Sequence, residues 1–266
     1  MRLGQHRRAP TRNRERGRHA LTALFATATA IALLARALPT AAATPNEWTA
    51  FSGVVPGTTI AQRLLDGRGL VRCTLAFIAR DNTTYSKKGI TAGHCDRTAD
   101  GQPTVIHSES SNPDKARPLG TYSRSIDRGA ATGTSSVGLP SYTDAGIIDL
   151  TSSAPILSYR VAAHYRIDNV LPTEPPLPTN TEVCKFGART GETCGPVVYA
   201  GPEQLHVRMH LIPGDSGSPV YIKTAPTTIT AVGILSGHLS HDPGVARAYY
   251  LRPIIDGLNL KICGDC

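Results

Sequence analysis

The sequence LIPGDSGSPV, residues 211–220, places Ser216 between two glycines, directly after an aspartate and just ahead of a β-rich run. A serine hydroxyl is a poor nucleophile at neutral pH. Catalysis therefore requires a nearby base, a group that orients the base, and hydrogen-bond donors for the developing oxyanion. A GDSG sequence alone is more often only a turn, so its meaning depends on whether the rest of the chain supplies these partners.

The best candidate for the base is His94, in the segment KKGITAGHCDR at 87–97. An apolar strand ends here in small residues, which would place an imidazole at the rim of a β-barrel and leave room for a substrate. Cys95 can hold the turn in place. The alternative is a structural histidine that happens to precede a cysteine.

Two aspartates compete for the role of orienting acid. Asp144 stands just before the apolar run that begins at Ala145, and Asp149 stands near the far end of that run. We favour Asp144, although an isolated aspartate before a strand is usually a cap or turn residue. Gly214 permits a backbone conformation closed to other residues, so the amides of Gly214 and Ser216 can converge to form an oxyanion hole.

The first 43 residues have the order of a secretory signal. Residues 1–19 carry seven arginines, an apolar run extends from Ala20 to Ala35, and small residues before position 44 predict cleavage after Ala43. The run is short for a membrane span and Arg36 interrupts it, which makes an uncleaved anchor the less favoured alternative. Cleavage would leave 20 basic and 19 acidic residues. We therefore expect an exported protein that binds no nucleic acid and has no stable membrane association.

The remainder of the chain has the pattern of an all-β protein. Short runs rich in Val, Ile, Thr and Tyr begin at Val71 and predict strands. Segments dense in Gly, Ser, Asn, Asp and Pro, such as 108–120, predict loops. Only PIIDGLNLKI, at 253–262, has a helical pattern, which Gly257 weakens.

A proline-dense connector suggests a division into two halves. The segment LPTEPPLPTN, at 171–180, should be extended because proline fixes φ and removes an amide donor. We place the boundary shortly before it. The prediction is a β-rich N-terminal half at 44–165 with His94 and Asp144, and a β-rich C-terminal half at 166–266 with Ser216 and the helix, in a barrel or sandwich architecture.

Three motifs in chain order, ITAGHC, TDAGII and GDSGSP, resemble the chymotrypsin-like serine proteases. The resemblance is strongest to the bacterial branch that includes the streptogrisins and α-lytic protease, and it covers most of the chain after residue 43. It implies two antiparallel six-stranded β-barrels with the active site between them, followed by a C-terminal helix. His94 would be the general base, Asp144 its orienting acid and Ser216 the nucleophile that forms an acyl-enzyme.

The resemblance also implies two disulfides and one ion pair. It pairs Cys73 with Cys95 and Cys184 with Cys194, and it predicts that Lys185 holds Asp215, the aspartate before the nucleophile. A terminal CGDC lies outside the match, at Cys263 and Cys266. It can close on itself, couple to another chain or act in redox chemistry, and we favour a local disulfide.

The specificity region departs most from the family pattern. The resemblance places five residues at the substrate-binding positions: His210, Ser236, Gly237, His238 and Ala248. His238 replaces a glycine that commonly leaves the pocket mouth open, so it can narrow the entrance. Two histidines here would favour acidic side chains when protonated, unless both merely pack or face solvent. Pro213 removes an amide next to Gly214 and either preorganises the turn or distorts it.

These features leave three hypotheses for function. The leading one is a secreted, monomeric serine endopeptidase that acts on peptides or proteins and uses no cofactor and no metal. The second is a protease-fold binding protein whose pocket or oxyanion turn no longer supports turnover. The third is an esterase-like hydrolase with the same nucleophile, because the triad chemistry is not limited to amides. The joint presence of His94, Asp144 and Ser216 favours a hydrolase over the binding protein.

Overall fold

A computed structural model describes residues 51–67, 69–108, 116–174, 176–264 and 266. The expected signal segment at 1–43 lies outside these residues. The described part of the chain is mostly β-strand, with a short 3₁₀ turn and one short α-helix near the C-terminus. No helix within it is long and apolar enough to cross a membrane.

The first sheet has nine strands, and all of its pairings are antiparallel. Its strands are paired in the order β16-β3-β4-β8-β6-β5-β1-β2, with β7 on the edge of β6. One of them, β16, comes from the C-terminal end of the chain. The strands are β1 Thr59–Arg63, β2 Leu70–Thr74, β3 Phe77–Asp81, β4 Lys87–Thr91, β5 Thr104–Ser108, β6 Ala116–Asp127, β7 Ala130–Ala131, β8 Asp144–Leu150 and β16 Leu260–Ile262.

The second sheet closes into a six-stranded barrel. Its order is β13-β10-β11-β12-β15-β14, and an additional pairing of β13 with β14 completes the ring. A seventh strand, β9, lies parallel to β14 outside the ring. The strands are β9 Arg166–Val170, β10 Glu182–Gly187, β11 Gly191–Ala200, β12 Gln204–Arg208, β13 Pro219–Ala225, β14 Thr228–Leu239 and β15 Asp242–Tyr250.

The predicted all-β class with one C-terminal helix is confirmed, but the helix is shorter than expected. Helix α1 spans Leu251–Gly257, and the following residues turn into β16 rather than continuing the helix. Asn259 has φ +51°, a left-handed conformation that ends a helix and that asparagine tolerates better than most residues. Leu260 is then buried in the first sheet, where β16 pairs with β3.

The segment 108–120, expected to be a loop, contributes the beginning of a long strand. Strand β6 starts at Ala116 and runs between β5 and β8. Gly120 fits here because a Cβ atom at this position would lie 2.1 Å from the carbonyl oxygen of Asp149. Tertiary pairing thus overrides the weak strand propensity of a segment rich in Gly and Pro.

Two clusters of buried apolar side chains fill the interior, one centred on the first sheet and one inside the barrel. Helix α1 contributes Leu251, Ile254 and Ile255 to the first cluster. Three disulfides add covalent restraint, and a disulfide typically stabilises a fold by about 2–4 kcal/mol. The bonded pairs are Cys73–Cys95, Cys184–Cys194 and Cys263–Cys266.

Candidate active site

His94 lies on a 3₁₀ turn, Gly93–Cys95, directly after β4. The turn packs tightly against the neighbouring strands, because a Cβ atom at Gly93 would lie 2.0 Å from the carbonyl oxygen of Ile126. The Cys73–Cys95 disulfide ties the turn to β2. The backbone that carries His94 is therefore held in place, while the His94 side chain remains 31% exposed.

Asp144 is the first residue of β8 and is fully buried. Its Oδ1 accepts a hydrogen bond from the His94 amide at 2.9 Å, and its Oδ2 lies 2.8 Å from His94 Nδ1. Oδ2 also accepts a hydrogen bond from the Ser236 hydroxyl at 2.6 Å. The competing aspartate, Asp149, instead forms an ion pair with Lys88 at 2.8 Å. The structure therefore brings Asp144 to His94 and leaves Asp149 outside the site.

The His94–Asp144 contact shifts both pKa values in directions that suit a base and its orienting acid. Burial is the largest influence on the imidazole and lowers its pKa, but the hydrogen bond and charge of Asp144 outweigh it, so the pKa of His94 is raised. Burial alone would raise the pKa of Asp144. The hydrogen bonds and charge from His94 and Ser236 reverse this, and the net shift is downward.

Ser216 lies on a tight turn that two glycines make possible. Gly214 has φ +105° and Gly217 has φ +83°, both in the left-handed region, and a Cβ at Gly217 would lie 2.1 Å from Thr91 Oγ1. The Ser216 carbonyl accepts a hydrogen bond from the Thr74 amide at 2.8 Å. The first sheet therefore holds the turn, although Ser216 precedes a strand of the barrel.

The Ser216 hydroxyl donates to the carbonyl oxygen of Ser236 at 3.4 Å. The side chain of Ser236 binds Asp144, so one residue touches both ends of the expected triad. Within the described residues, Ser216 has no hydrogen bond to His94. A serine side chain moves among three staggered rotamers at low cost, and nucleophile–base hydrogen bonds are often loose in the absence of substrate.

The amides of Gly214 and Ser216 donate no hydrogen bond to another group in the described part of the chain. Their neighbours are engaged, since the Asp215 amide bonds to the Ile212 carbonyl at 3.0 Å and the Gly217 amide to the Leu235 carbonyl at 2.8 Å. The turn therefore has two amide donors available for a ligand oxygen.

Lys185 and Asp215 form a buried ion pair beneath this turn, with Nζ 3.3 Å from Oδ2 and both side chains 0% exposed. Burial is the largest influence on the Lys185 ammonium and lowers its pKa, against the opposing effect of Asp215. The carboxylate also accepts hydrogen bonds from the amides of Arg189, Thr190 and Ile212 and from the Thr190 hydroxyl.

Replacement of Lys185 by methionine should lower the free energy of unfolding by about 3–5 kcal/mol, because it leaves the Asp215 charge buried without its cation. Urea unfolding of the purified variant measures the change. Lys223→Met is the matched control, since Lys223 forms an exposed ion pair with Glu192 at 2.7 Å and should cost no more than about 1 kcal/mol. Equal losses in the two variants would contradict a special role for the buried pair.

Thr74 contacts the nucleophile turn, a role that was not predicted from the sequence. Its buried hydroxyl donates to the Gly214 carbonyl at 2.8 Å and accepts from the Ala188 amide at 3.0 Å. Its carbonyl accepts from the Thr91 hydroxyl at 2.7 Å. The Gly214 carbonyl belongs to the Gly214–Asp215 peptide, which lies between the two proposed oxyanion donors, so its hydrogen bond to Thr74 restrains the backbone between them. The only sequence signal is the position of Thr74 directly after Cys73.

Thr74→Val should lower kcat by about tenfold to hundredfold with little change in KM, because it frees the Gly214 carbonyl and loosens the oxyanion donors. It also leaves a buried carbonyl and amide unpaired, which costs about 1–3 kcal/mol of stability for each group. Thr59→Val is the control. Thr59 pairs with Thr74 in the sheet and is equally buried, but its hydroxyl has no partner within the described residues. Unchanged kcat in Thr74→Val would show that the Thr74 hydroxyl does not help to position the oxyanion donors.

The expected specificity residues lie along β14, β15 and the segment before the nucleophile turn. His210 is exposed, and its carbonyl accepts the Thr193 hydroxyl at 2.8 Å. His238 is also exposed, with Nδ1 2.6 Å from the Pro243 carbonyl oxygen. Ala248 is buried inside the barrel. That these two histidines give the site a preference for acidic substrate side chains stays a prediction.

Three groups of described side chains have the spacing of metal ligands. Two of them consist largely of cysteines that form disulfides. In the third, atoms of His94, Asp127 and Asp144 lie within 4.8 Å of one another, but His94 and Asp144 already bind each other. The group does show that a second carboxylate, Asp127, lies beside the imidazole.

Comparison with known proteins gives matches in structure but not in sequence. No protein-family model matches the chain, and no curated protein sequence matches it. A glutamic-acid-specific serine protease, described as using a histidine triad in substrate binding, is 19% identical. The match covers 79% of this chain and 100% of that one, with a TM-score of 0.56.

Two further bacterial enzymes give similar values. A Nocardiopsis protease is 20% identical over 79% of this chain and 99% of its own, with a TM-score of 0.51. Protease A of Thermobifida fusca is 19% identical over 79% and 98%, also with a TM-score of 0.51. At these identities the matches show the fold alone.

Proposed function

We propose that this chain, which has the double-barrel fold of the bacterial chymotrypsin-like serine proteases, is a serine endopeptidase with His94, Asp144 and Ser216 as its triad. The observation that carries the proposal is the buried Asp144 carboxylate, which holds His94 through both the ring and the backbone amide. Such a carboxylate fixes the imidazole tautomer and stabilises the imidazolium that forms during the reaction.

In the proposed reaction the three side chains act in turn. With Nδ1 committed to Asp144, the Nε2 atom of His94 takes the proton from the Ser216 hydroxyl as its oxygen attacks the scissile carbonyl. His94 then returns this proton to the leaving amine, and the acyl-enzyme remains. Water, deprotonated by His94, hydrolyses the acyl-enzyme and restores the hydroxyl.

The oxyanion that forms in each step needs donors that are already in place. The unpaired amides of Gly214 and Ser216 supply them, and Pro213 stiffens the backbone just before the first. Loss of one such donor costs about 10²-fold to 10³-fold in rate. The Lys185–Asp215 pair and the Thr74 hydroxyl hold the turn from two sides, which supports this role.

The proposed setting is outside the cytoplasm. Three disulfides suit an oxidising compartment, and residues 1–43 have the composition of a secretory signal. We propose a secreted monomer that acts on peptide or protein substrates. Substrate would pair its backbone with the β14 segment formed by Ser236, Gly237 and His238.

Hydrolysis of a library of internally quenched peptides, together with simple nitrophenyl esters, tests the proposed function. An endopeptidase cleaves interior peptide bonds and leaves new amino termini that sequencing can identify. Turnover of the esters alone would assign the protein to the esterase-like alternative. Binding of peptides without any turnover by folded protein would favour the non-catalytic alternative.

A further inference from the structure

The strand segment beside the triad faces an arginine. Gly237 follows Ser236 in β14 and lies directly opposite Arg247 of β15. Directly opposite residues of an antiparallel pair lie on the same face of the sheet. Because Gly237 has no side chain, and a Cβ atom at this position would meet no atom within 4 Å, the space next to Arg247 is open. The Nε atom of Arg247 has no hydrogen-bond partner within the described residues.

Tyr249 is the neighbour of Arg247 along this face of the sheet. It follows Arg247 by two positions in β15, so both side chains point to the same face. Burial is the largest influence on the phenol and raises its pKa, whereas the nearby guanidinium groups of Arg247 and Arg128 oppose the rise. Arg128 in turn acts on His94 through its charge. Arg128 is held close to the imidazole, because its Nε binds Asp127, whose carboxylate lies within 4.8 Å of a ring nitrogen of His94.

Arg128 uses only some of its N–H donors to bind its acidic neighbour. Its side chain is 49% exposed, and its Nε donates to Asp127 Oδ1 at 2.8 Å. A guanidinium carries five N–H donors, and its terminal nitrogens bind carboxylates well. Asp127 is 24% exposed, and its carboxylate offsets part of the positive charge of Arg128. The other carboxylate, Asp144, is buried and already bound by His94 and Ser236, so of these two carboxylates only Asp127 is exposed.

We propose that Arg128, Tyr249 and Arg247 form a cationic subsite that binds an acidic side chain of the substrate on the N-terminal side of the scissile bond. A peptide paired with the segment at Gly237 would pass over the open space beside Arg247. Its side chains on that face would meet the two guanidinium groups. Tyr249 is only 4% exposed, so it would support Arg247 rather than touch the substrate. This inference rests on the proposed function, and it concerns residues outside the triad and outside the positions of His210 and His238.

The test compares kcat/KM for peptides that carry Glu, Gln or Lys at each of the residues preceding a common cleavage residue. Wild-type protein should prefer Glu over Gln by about tenfold at one of these positions, as expected for a partly exposed charge-assisted hydrogen bond. The preference should shrink at high salt, because salt screens exposed charges. In Arg128→Gln/Arg247→Gln the ratio should fall to within about twofold, because the charge that distinguishes Glu from Gln is gone.

Arg166→Gln is the matched control. Arg166 is also 49% exposed and forms an ion pair with Asp168 at 3.0 Å, but it lies on β9, outside the proposed subsite. It should keep the full Glu preference, and thermal melting of all variants verifies that they fold. The same Glu preference in the double variant as in wild type would overturn the proposal. A wild-type preference for Lys would also overturn it.

A binding experiment separates failure of this subsite from failure of the proposed function. The Ser216→Ala protein should bind a fluorescent Glu-containing peptide more tightly than its Gln counterpart, and adding Arg128→Gln/Arg247→Gln should remove the difference. This readout requires no turnover. An acidic preference that only His210→Ala or His238→Ala removes would assign recognition to those histidines and refute the arginine subsite.

Discussion

Ser216→Ala is expected to lower kcat for peptide hydrolysis by about 10⁶-fold, because the substitution removes the only atom that can form the acyl-enzyme. The free energy of unfolding should hardly change. Among the residues that the structure describes, the hydroxyl makes one long hydrogen bond, 3.4 Å to the Ser236 carbonyl, so the folded state loses little. Steady-state kinetics and thermal melting of the same sample measure both quantities.

Ser240→Ala is the control for this experiment, because Ser240 is an exposed serine at the end of the same β14 region. Its kcat should stay within about twofold of wild type, since exposed positions away from the site have small effects. A Ser216→Ala variant that keeps more than about a hundredth of wild-type kcat would show that another group is the nucleophile.

Asp144→Asn is expected to lower kcat by about 10⁴-fold, as far as such a substitution lowers it in other triad enzymes. The Asp144 carboxylate accepts from the His94 ring, the His94 amide and the Ser236 hydroxyl. An amide can accept through only one of its two terminal atoms, so the imidazole loses its tautomer preference and its counter-charge. Single-turnover kinetics with an activated ester separates this effect from product release.

The same substitution should move the pH dependence of the reaction in a defined direction. In the wild type Asp144 raises the pKa of His94, so activity is lost as the pH falls through a value above the ordinary imidazole pKa. Without the carboxylate charge, the desolvation of the ring remains and the pKa of His94 falls. The acidic limb of the kcat/KM profile should therefore shift to lower pH in Asp144→Asn.

Asp149→Asn is the matched control, because Asp149 lies on the same strand β8 but binds Lys88. It should leave kcat within about twofold and the acidic limb in place. An unshifted limb in Asp144→Asn, or an equal loss of activity in both variants, would contradict the assignment of Asp144 as the orienting acid.

Local sequence singled out three residues whose catalytic roles stay a prediction. His94, Asp144 and Ser216 each stand in a short motif with small neighbours, and the physical reason for those neighbours is visible in the structure. At Gly93 and Gly217 there is no room for a side chain. Such constraints act within a few residues, so they leave a signal that can be read without coordinates.

Contacts that depend on strand pairing left no comparable signal. Thr74 reaches the Gly214 carbonyl across 140 positions of the chain, and Gly237 meets Arg247 only through the register of β14 and β15. The same is true of β6, which begins in a segment with loop composition because its neighbours β5 and β8 bind it from both sides. In each case the deciding partner is distant in sequence, and local propensity is a weak guide.

Labelling with a fluorophosphonate, followed by mass spectrometry of the digested protein, tests the central claim most directly. The reagent reacts with a serine only where a base and an oxyanion hole activate it. We predict one adduct, on Ser216, which is absent from Ser216→Ala and forms far more slowly in Asp144→Asn. Folded wild-type protein that takes up no label, or that carries it on another residue, would contradict the claim that His94 and Asp144 activate Ser216.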